Sequence, residues 1–216
     1  MFGIHDLGLF IVSGLLLNIL PGPDSLLIVT RSATQGARAG CAAVLGIGAG
    51  TLVHVLAAAL GLSALLATSA TSATSATAFT VVKYAGAAYI LYMALGLLRS
   101  KRRGTIMQIK VAPLAYRKIF AVGFLTNVLN PKVAMFFLAF VPQFIHADAP
   151  DKALAFIVLG CIFNLNGVLW STALALVTAR ASARLKLKPI VSLWLNRVTG
   201  GLFVWLGVKL ALSKTH

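Results

Sequence analysis

Glutamate is absent from this 216-residue chain, and four aspartates, Asp6, Asp24, Asp148 and Asp151, are its only carboxylate side chains. Charged residues make up 11% of the sequence and hydrophobic ones 59%. A soluble domain carries about 25% and 45–50%. That deficit of charge argues against a water-soluble globule. Cysteine is scarce as well. Cys41 and Cys161 stand in apolar surroundings without C-x-x-C or Cys/His spacing, so neither a disulfide framework nor a metal site is expected. No cofactor is indicated, and little chain is left over for a soluble catalytic domain, so the sequence does not read as an enzyme.

What the chain does have is positive charge: 19 lysines and arginines, for a net charge of +15. A nucleic-acid reader needs such residues on a solvated face. Here they cluster between long uncharged runs, and nucleic acid is not an expected partner. The runs define six apolar segments, about Leu7 to Val29, Cys41 to Leu66, a third ending near Leu98, Ile119 to Ile145, Ala153 to Ala179, and Ile190 to Leu212. At roughly 20 residues per membrane crossing, the expectation is one all-α domain over residues 1–216 with six transmembrane helices. The amino terminus has no basic region before its apolar run and reads as a retained first span. Residues 67 to 77 repeat the triplet ATS and read as an expanded loop between the second and third spans.

Loop charge gives the orientation. Thirteen basic residues fall on three alternate loops: Arg31 and Arg38 after the first span, seven from Arg99 to Lys118 after the third, and four from Arg180 to Lys188 after the fifth. The positive-inside rule puts these loops in the cytoplasm and both termini outside. Anionic lipid headgroups are their expected partners.

Self-comparison shows a repeat. Gly14, Asn18 and Leu20 recur as Gly123, Asn127 and Leu129 at an offset of 109; Lys83, Gly86 and Tyr89 recur less closely as Arg197, Gly200 and Phe203. Repeat one covers about 1–98, a basic loop 99–118, and repeat two 119–216. Three spans per repeat is an odd number, so the second repeat enters the membrane inverted, an architecture of alternating-access transporters. Proline interrupts the first span of each: Asn18-Ile-Leu-Pro21-Gly22-Pro23-Asp24 and Asn130-Pro131-Lys132. A proline removes a backbone donor and clashes with the carbonyl four residues back. In lipid the freed groups must be met by protein or a polar cavity. Both breaks are therefore candidate substrate sites.

At these residues the chain resembles the lysine exporter and homoserine/threonine exporter (LysE/RhtB) superfamily. The resemblance covers essentially the whole length and rests on N-x-x-P-G-P-D at 18–24, A-G-x-x-Y-I-L-Y-M-A-L-G at 85–96 and LNPKVAMFFLAFVPQF at 129–144. It implies an inner-membrane exporter of amino acids or close derivatives, driven by the proton gradient. The ATS stretch is not part of the family's pattern.

The residues expected to bind substrate are Asn18, Pro21, Gly22, Pro23, Asp24, Asn127, Asn130, Pro131 and Lys132. Asp24 is the only carboxylate inside an expected span, able to carry a proton, to bind a substrate ammonium, or to cap the half-helix after Pro23. Lys132 is the candidate partner for a substrate carboxylate. Counted along continuous helices from Asn18 and Asn127, Asp24 and Lys132 stand roughly 16 Å apart, which places Asp24 at the inner gate and Lys132 in the outer half. His54, midway along the second span, is a second proton-coupling candidate beside a purely structural role. So few intramembrane carboxylates favour neutral substrates, such as threonine, homoserine or aliphatic amino acids, over dicationic ones. Gly46-x-x-x-Gly50 allows close helix contact within the chain or in a homo-oligomer. Two rivals remain at this level: a membrane thiol carrier using Cys41 and Cys161, and an ion channel.

Overall fold

Prolines decide where the first helix stops. The computed structural model describes residues 2–62, 112–146 and 148–181, with single positions at 81, 84, 88, 91, 92, 95, 99, 204 and 208. Helix α1 is Leu7–Ile19. Leu20 after it has an extended ψ of 124°, as a residue before proline must, because the Pro21 ring crowds an α-conformed neighbour. Gly22 is extended too, and α2 restarts at Pro23 and runs to Gln35. Proline suits that first helical position, whose N–H has no partner within the helix. The two pieces meet at 55°. Gly36, at φ 83°, then turns the chain through a left-handed conformation that glycine adopts freely. Helix α3 follows over Ala37–Ala57 and widens into a π-helical turn at Ala58–Leu62.

The second break copies the first. Helix α4 is Tyr116–Val128 and α5 is Pro131–Met135, extended by a π turn over Phe136–Phe140 and a 3-10 turn over Val141–Phe144. The bend is 45°. Asn130, before Pro131, is extended, and its side chain accepts the Lys132 N–H at 3.0 Å. Helices α1 and α4 are both 13 residues long, and each boundary of one lies 109 positions from that of the other. The repeat read from three residues is thus a repeat of helix length and break point. Helix α6, Lys152–Ala181, is unbroken.

Ala37–Gly61 and Lys152–Ala181 are each long and apolar enough to cross a membrane, and the two bent pairs pass the same test as units. At 1.5 Å per residue, even the shorter helix exceeds the roughly 30 Å hydrocarbon core. The protein is an all-α membrane protein. The expected spans one, two, four and five are these four units. Span one runs on to Gln35 because Pro23 restarts it, and span two begins at Ala37 because Gly36 ends its predecessor. Among the described residues there is no strand, only a single antiparallel bridge between Ile4 and Ile145. The third and sixth spans, the second repeat match, the ATS stretch and most of the basic loop lie largely outside the described residues. Within the third, Val81, Tyr84, Ala88, Leu91, Tyr92 and Leu95 are helical.

Glycine sets how the helices pack. A methyl group on Gly46 would collide with the Phe120 carbonyl, one on Gly50 would stand 2.8 Å from the Phe124 carbonyl oxygen, and one on Gly123 2.7 Å from that of Ala43. Helices α3 and α4 therefore touch backbone to backbone and run parallel. Gly46-x-x-x-Gly50 is used within the chain. Val55 against Gly160 and Gly48 against Val168 make α3 and α6 antiparallel, while Gly14 against Phe163 and Asn18 against Gly167 make α1 and α6 parallel. It follows that α1 and α4 run in opposite senses. Each broken helix docks on the second span of the other repeat.

Two apolar cores flank the break region. One is aromatic, built on Phe10, Phe136, Phe137, Phe140, Phe144 and Phe163, and the other on Ile28, Ala43, Val44, Ile47 and Ile119. The chain start is strapped over the aromatic core: His5 N–H donates to the Phe144 carbonyl at 3.0 Å and His146 N–H to that of Gly3 at 2.8 Å. At the far end of α2, Gln35 Nε2 donates to the Leu114 carbonyl at 3.0 Å and its Oε1 accepts the Leu114 N–H at 3.1 Å. Buried Arg31 donates to the same Oε1 and to the Ala112 carbonyl. These two side chains pin the segment that leads into α4.

Candidate transport site

The two breaks meet and are tied across the repeat. Asp24, in the first turn of α2, reaches the other repeat, where its Oδ2 accepts from Asn127 Nδ2 at 3.0 Å and from Asn130 Nδ2 at 2.9 Å. Lys132, in the first turn of α5, reaches back the other way. Its Nζ donates to the Leu17 carbonyl at 3.1 Å and the Leu20 carbonyl at 3.3 Å, two of the carbonyls that the end of α1 leaves without helical partners. A cation there also complements the helix dipole. Lys132 passes Gly22 to get there; a methyl group on Gly22 would lie 3.3 Å from Nζ. Each repeat thus supplies the charge that satisfies the break of the other.

This corrects the expected separation of the two charges. Asp24 and Lys132 do not occupy inner and outer halves of a path; they line one cleft. The count along continuous helices fails because residues 20–22 and 129–130 are not helical, both spans bend, and the lysine side chain points back toward α1. The two do not form a contact ion pair either: among the described residues the one such pair within 4.0 Å is His5–Asp6. Asn130 stands between them, donating to Asp24 and accepting the Lys132 N–H. Nor does Asp24 cap its own helix, since Gly22 holds the N-cap position and no side chain caps there. Pro21, Pro23 and Pro131 act through the backbone breaks they impose.

Asn127 is held on every side. Besides its bond to Asp24, its Oδ1 accepts from the Thr51 hydroxyl at 3.2 Å, and its carbonyl oxygen lies 3.0 Å from His54 Nε2. A carbonyl only accepts, so His54 Nε2 is the donor. His54 stacks on Phe137 with centroids 6.2 Å apart and is not among the residues lining the cleft. The structure brings it to the break of α4 but not to the cavity.

Asn18 is the repeat partner of Asn127 and is not satisfied in the same way. Its buried Nδ2 has no hydrogen-bond partner, and neither has the buried Oδ1 of Asp24. Both residues line the cleft. The cavity measures about 30 Å³, room for about two water molecules. Asn164, a polar residue inside the fifth expected span, also lines it, as do Thr51, Gly167, Ser171 and Phe163, which are not singled out by their sequence neighbourhoods. Gly167 had a signal in retrospect: it lies under Asn18 as Gly50 lies under Asn127. Cys41 and Cys161 are free thiols and do not line the cleft.

The LysE type translocator family model matches residues 15–214 of the chain. The protein belongs to that family. It is a membrane transporter by family. The uncharacterized membrane protein PA4757 of Pseudomonas aeruginosa is 30% identical over 98% of this chain and 97% of its own. The uncharacterized membrane protein YrhP of Bacillus subtilis is 29% identical over 97% of this chain and all of its own. No solved structure matches the chain. The matched range takes in both breaks and every residue of the cleft.

Proposed function

We propose that this LysE type translocator exports α-amino acids or close derivatives, neutral ones foremost, from the cytoplasm in exchange for protons. The observation that carries this reading is that the two residues with unmet polar atoms, Asp24 and Asn18, both line the cleft. Asp24 Oδ1 lacks a donor and Asn18 Nδ2 lacks an acceptor. Leaving such groups buried costs about 1–3 kcal/mol each, and a zwitterion satisfies both, its ammonium at Asp24 and its carboxylate at Asn18. Lys132 Nζ has three N–H donors and spends two on Leu17 and Leu20, which leaves one for the same carboxylate. A substrate with a second positive charge finds no further carboxylate among the cleft residues.

The proton enters the cycle at Asp24. When ionised, its carboxylate holds the α4 and α5 sides of the second break through Asn127 and Asn130. Protonated, it loses its charge-assisted bonds, and the two repeats are freed to rock. The cavity is too small for an amino acid as it stands, so loading requires the repeats to part, the motion that alternating access between inverted repeats provides. Basic loops facing anionic lipid on the cytoplasmic side of the inner membrane, with both termini outside, complete the reading.

Asp24→Asn keeps the shape of the side chain and removes both the charge and the exchangeable proton. Cells expressing this variant should fail to export the amino acid that the wild type exports, at equal membrane abundance. Export at the wild-type rate overturns the reading.

A further inference from the structure

The cleft lining mixes half-buried Ser25 and Ser171 with buried apolar side chains: Leu17, Val133 and Phe163 are 4%, 3% and 2% exposed, and Val44 and Ile47 2% and 8%. Along α6 the cleft stops at Phe163. One turn further toward the start of that helix, a methyl group on Gly160 would collide with Val55 of α3, and α3 and α6 close on each other. Behind the Phe163 ring stand Phe136, parallel with centroids 4.6 Å apart, and Phe137, edge-on at 5.5 Å. Gly14 gives the ring its room, since a methyl group there would lie 3.0 Å from Cδ2. Phe163 is thus a wall backed by two rings of its own repeat, Phe136 and Phe137.

A zwitterion bound through Asp24 and Asn18 must send its side chain somewhere. Leu17 and Phe163 are the apolar lining beside Asn18 and reward a hydrophobic group there, and Gly167 beneath Asn18 lies one turn of α6 from Phe163. The geometry points to Phe163 as the specificity-determining residue that sets the greatest length of substrate side chain. It limits the cargo to short aliphatic or hydroxylated amino acids. This rests on the amino-acid reading above.

In a hydrophobic pocket one methylene changes discrimination roughly 10- to 200-fold. The experiment measures export of alanine, threonine, valine, leucine, methionine and phenylalanine by cells expressing the full chain, normalised to membrane abundance. Wild type should favour alanine, threonine and valine. Phe163→Ala should raise the leucine-to-threonine and methionine-to-threonine ratios at least about tenfold while threonine export persists. Phe163→Trp should lose valine before alanine. Phe163→Leu, which keeps an apolar side chain in the stack, supplies the same ratios where the alanine variant does not reach the membrane. A uniform fall in all six rates with unmoved ratios shows a packing residue and overturns the inference, as does wild-type export of phenylalanine at the rate of alanine. If wild type and variants all reach the membrane and none exports any amino acid, the amino-acid reading itself fails, and the role of Phe163 falls with it.

Discussion

Asn18 and Asn127 hold the same place in the two repeats, yet replacing each with leucine should move stability in different directions. Asn127 donates to the Asp24 carboxylate and accepts from Thr51. A hydrogen bond to a charged group contributes about 1.5–3 kcal/mol and a neutral one about 0.5–1.5. Leucine is close to asparagine in shape and regains part of this through apolar burial, so Asn127→Leu should cost a net of about 2 kcal/mol. For a protein of this length 1 kcal/mol shifts Tm by about 2–4 °C, which makes a fall of about 4–8 °C. Asn18 Nδ2 has no partner to lose, and leucine there removes a buried unmet donor. Asn18→Leu should therefore melt at or above the wild-type temperature. A ligand at one hundred times its Kd adds about 2.7 kcal/mol to the wild type, and Asn18→Leu should lose most of that gain. The assay is thermal unfolding of detergent-purified protein with and without an amino acid that the wild type exports. Equal destabilisation of the two variants, or an undiminished ligand shift in Asn18→Leu, refutes the reasoning.

Other outcomes follow from the same contacts. Gly123→Ala meets the Ala43 carbonyl, part of the backbone, at 2.7 Å, whereas Gly14→Ala meets a ring edge at 3.0 Å. The first should destabilise by about 1–3 kcal/mol and the second by less, a difference readable in thermal melts of the two proteins; equal losses refute the parallel α3–α4 contact. Gln35→Ala removes both bonds to Leu114 and should speed hydrogen exchange and proteolysis at residues 112–115 without changing those of α6. Unchanged exchange there means that Arg31 alone holds the segment.

Much of this molecule is legible in its sequence. Pro21, Pro23 and Pro131 break helices through steric rules that act over a few residues, so the break points follow from composition alone. Charge scarcity and apolar run length identify the four spans among the described residues for the same reason: burial of charge in lipid is costly wherever the chain folds. The fifth expected span, Ala153 to Ala179, differs from α6 by no more than two residues at either end. Gly36 is less legible, because a lone glycine between two helical runs does not announce a left-handed turn.

The relation of Asp24 to Lys132 was out of reach of any count along the chain. It depends on bends of 55° and 45°, on a lysine that turns back beneath Gly22, and on Asn130 bonding to both sides. Likewise, the sequence shows Asn18 and Asn127 as equals, and only the packing makes one of them saturated and the other open. By itself, then, the sequence determined the class, the four spans among the described residues, the two breaks and the polar residues beside them, because each follows from local sterics and the cost of burial. The tertiary structure decided which of those residues meet. Contacts between positions more than 100 apart are set by the glycine register of α3 against α4 and α6, and by the direction in which each broken helix resumes.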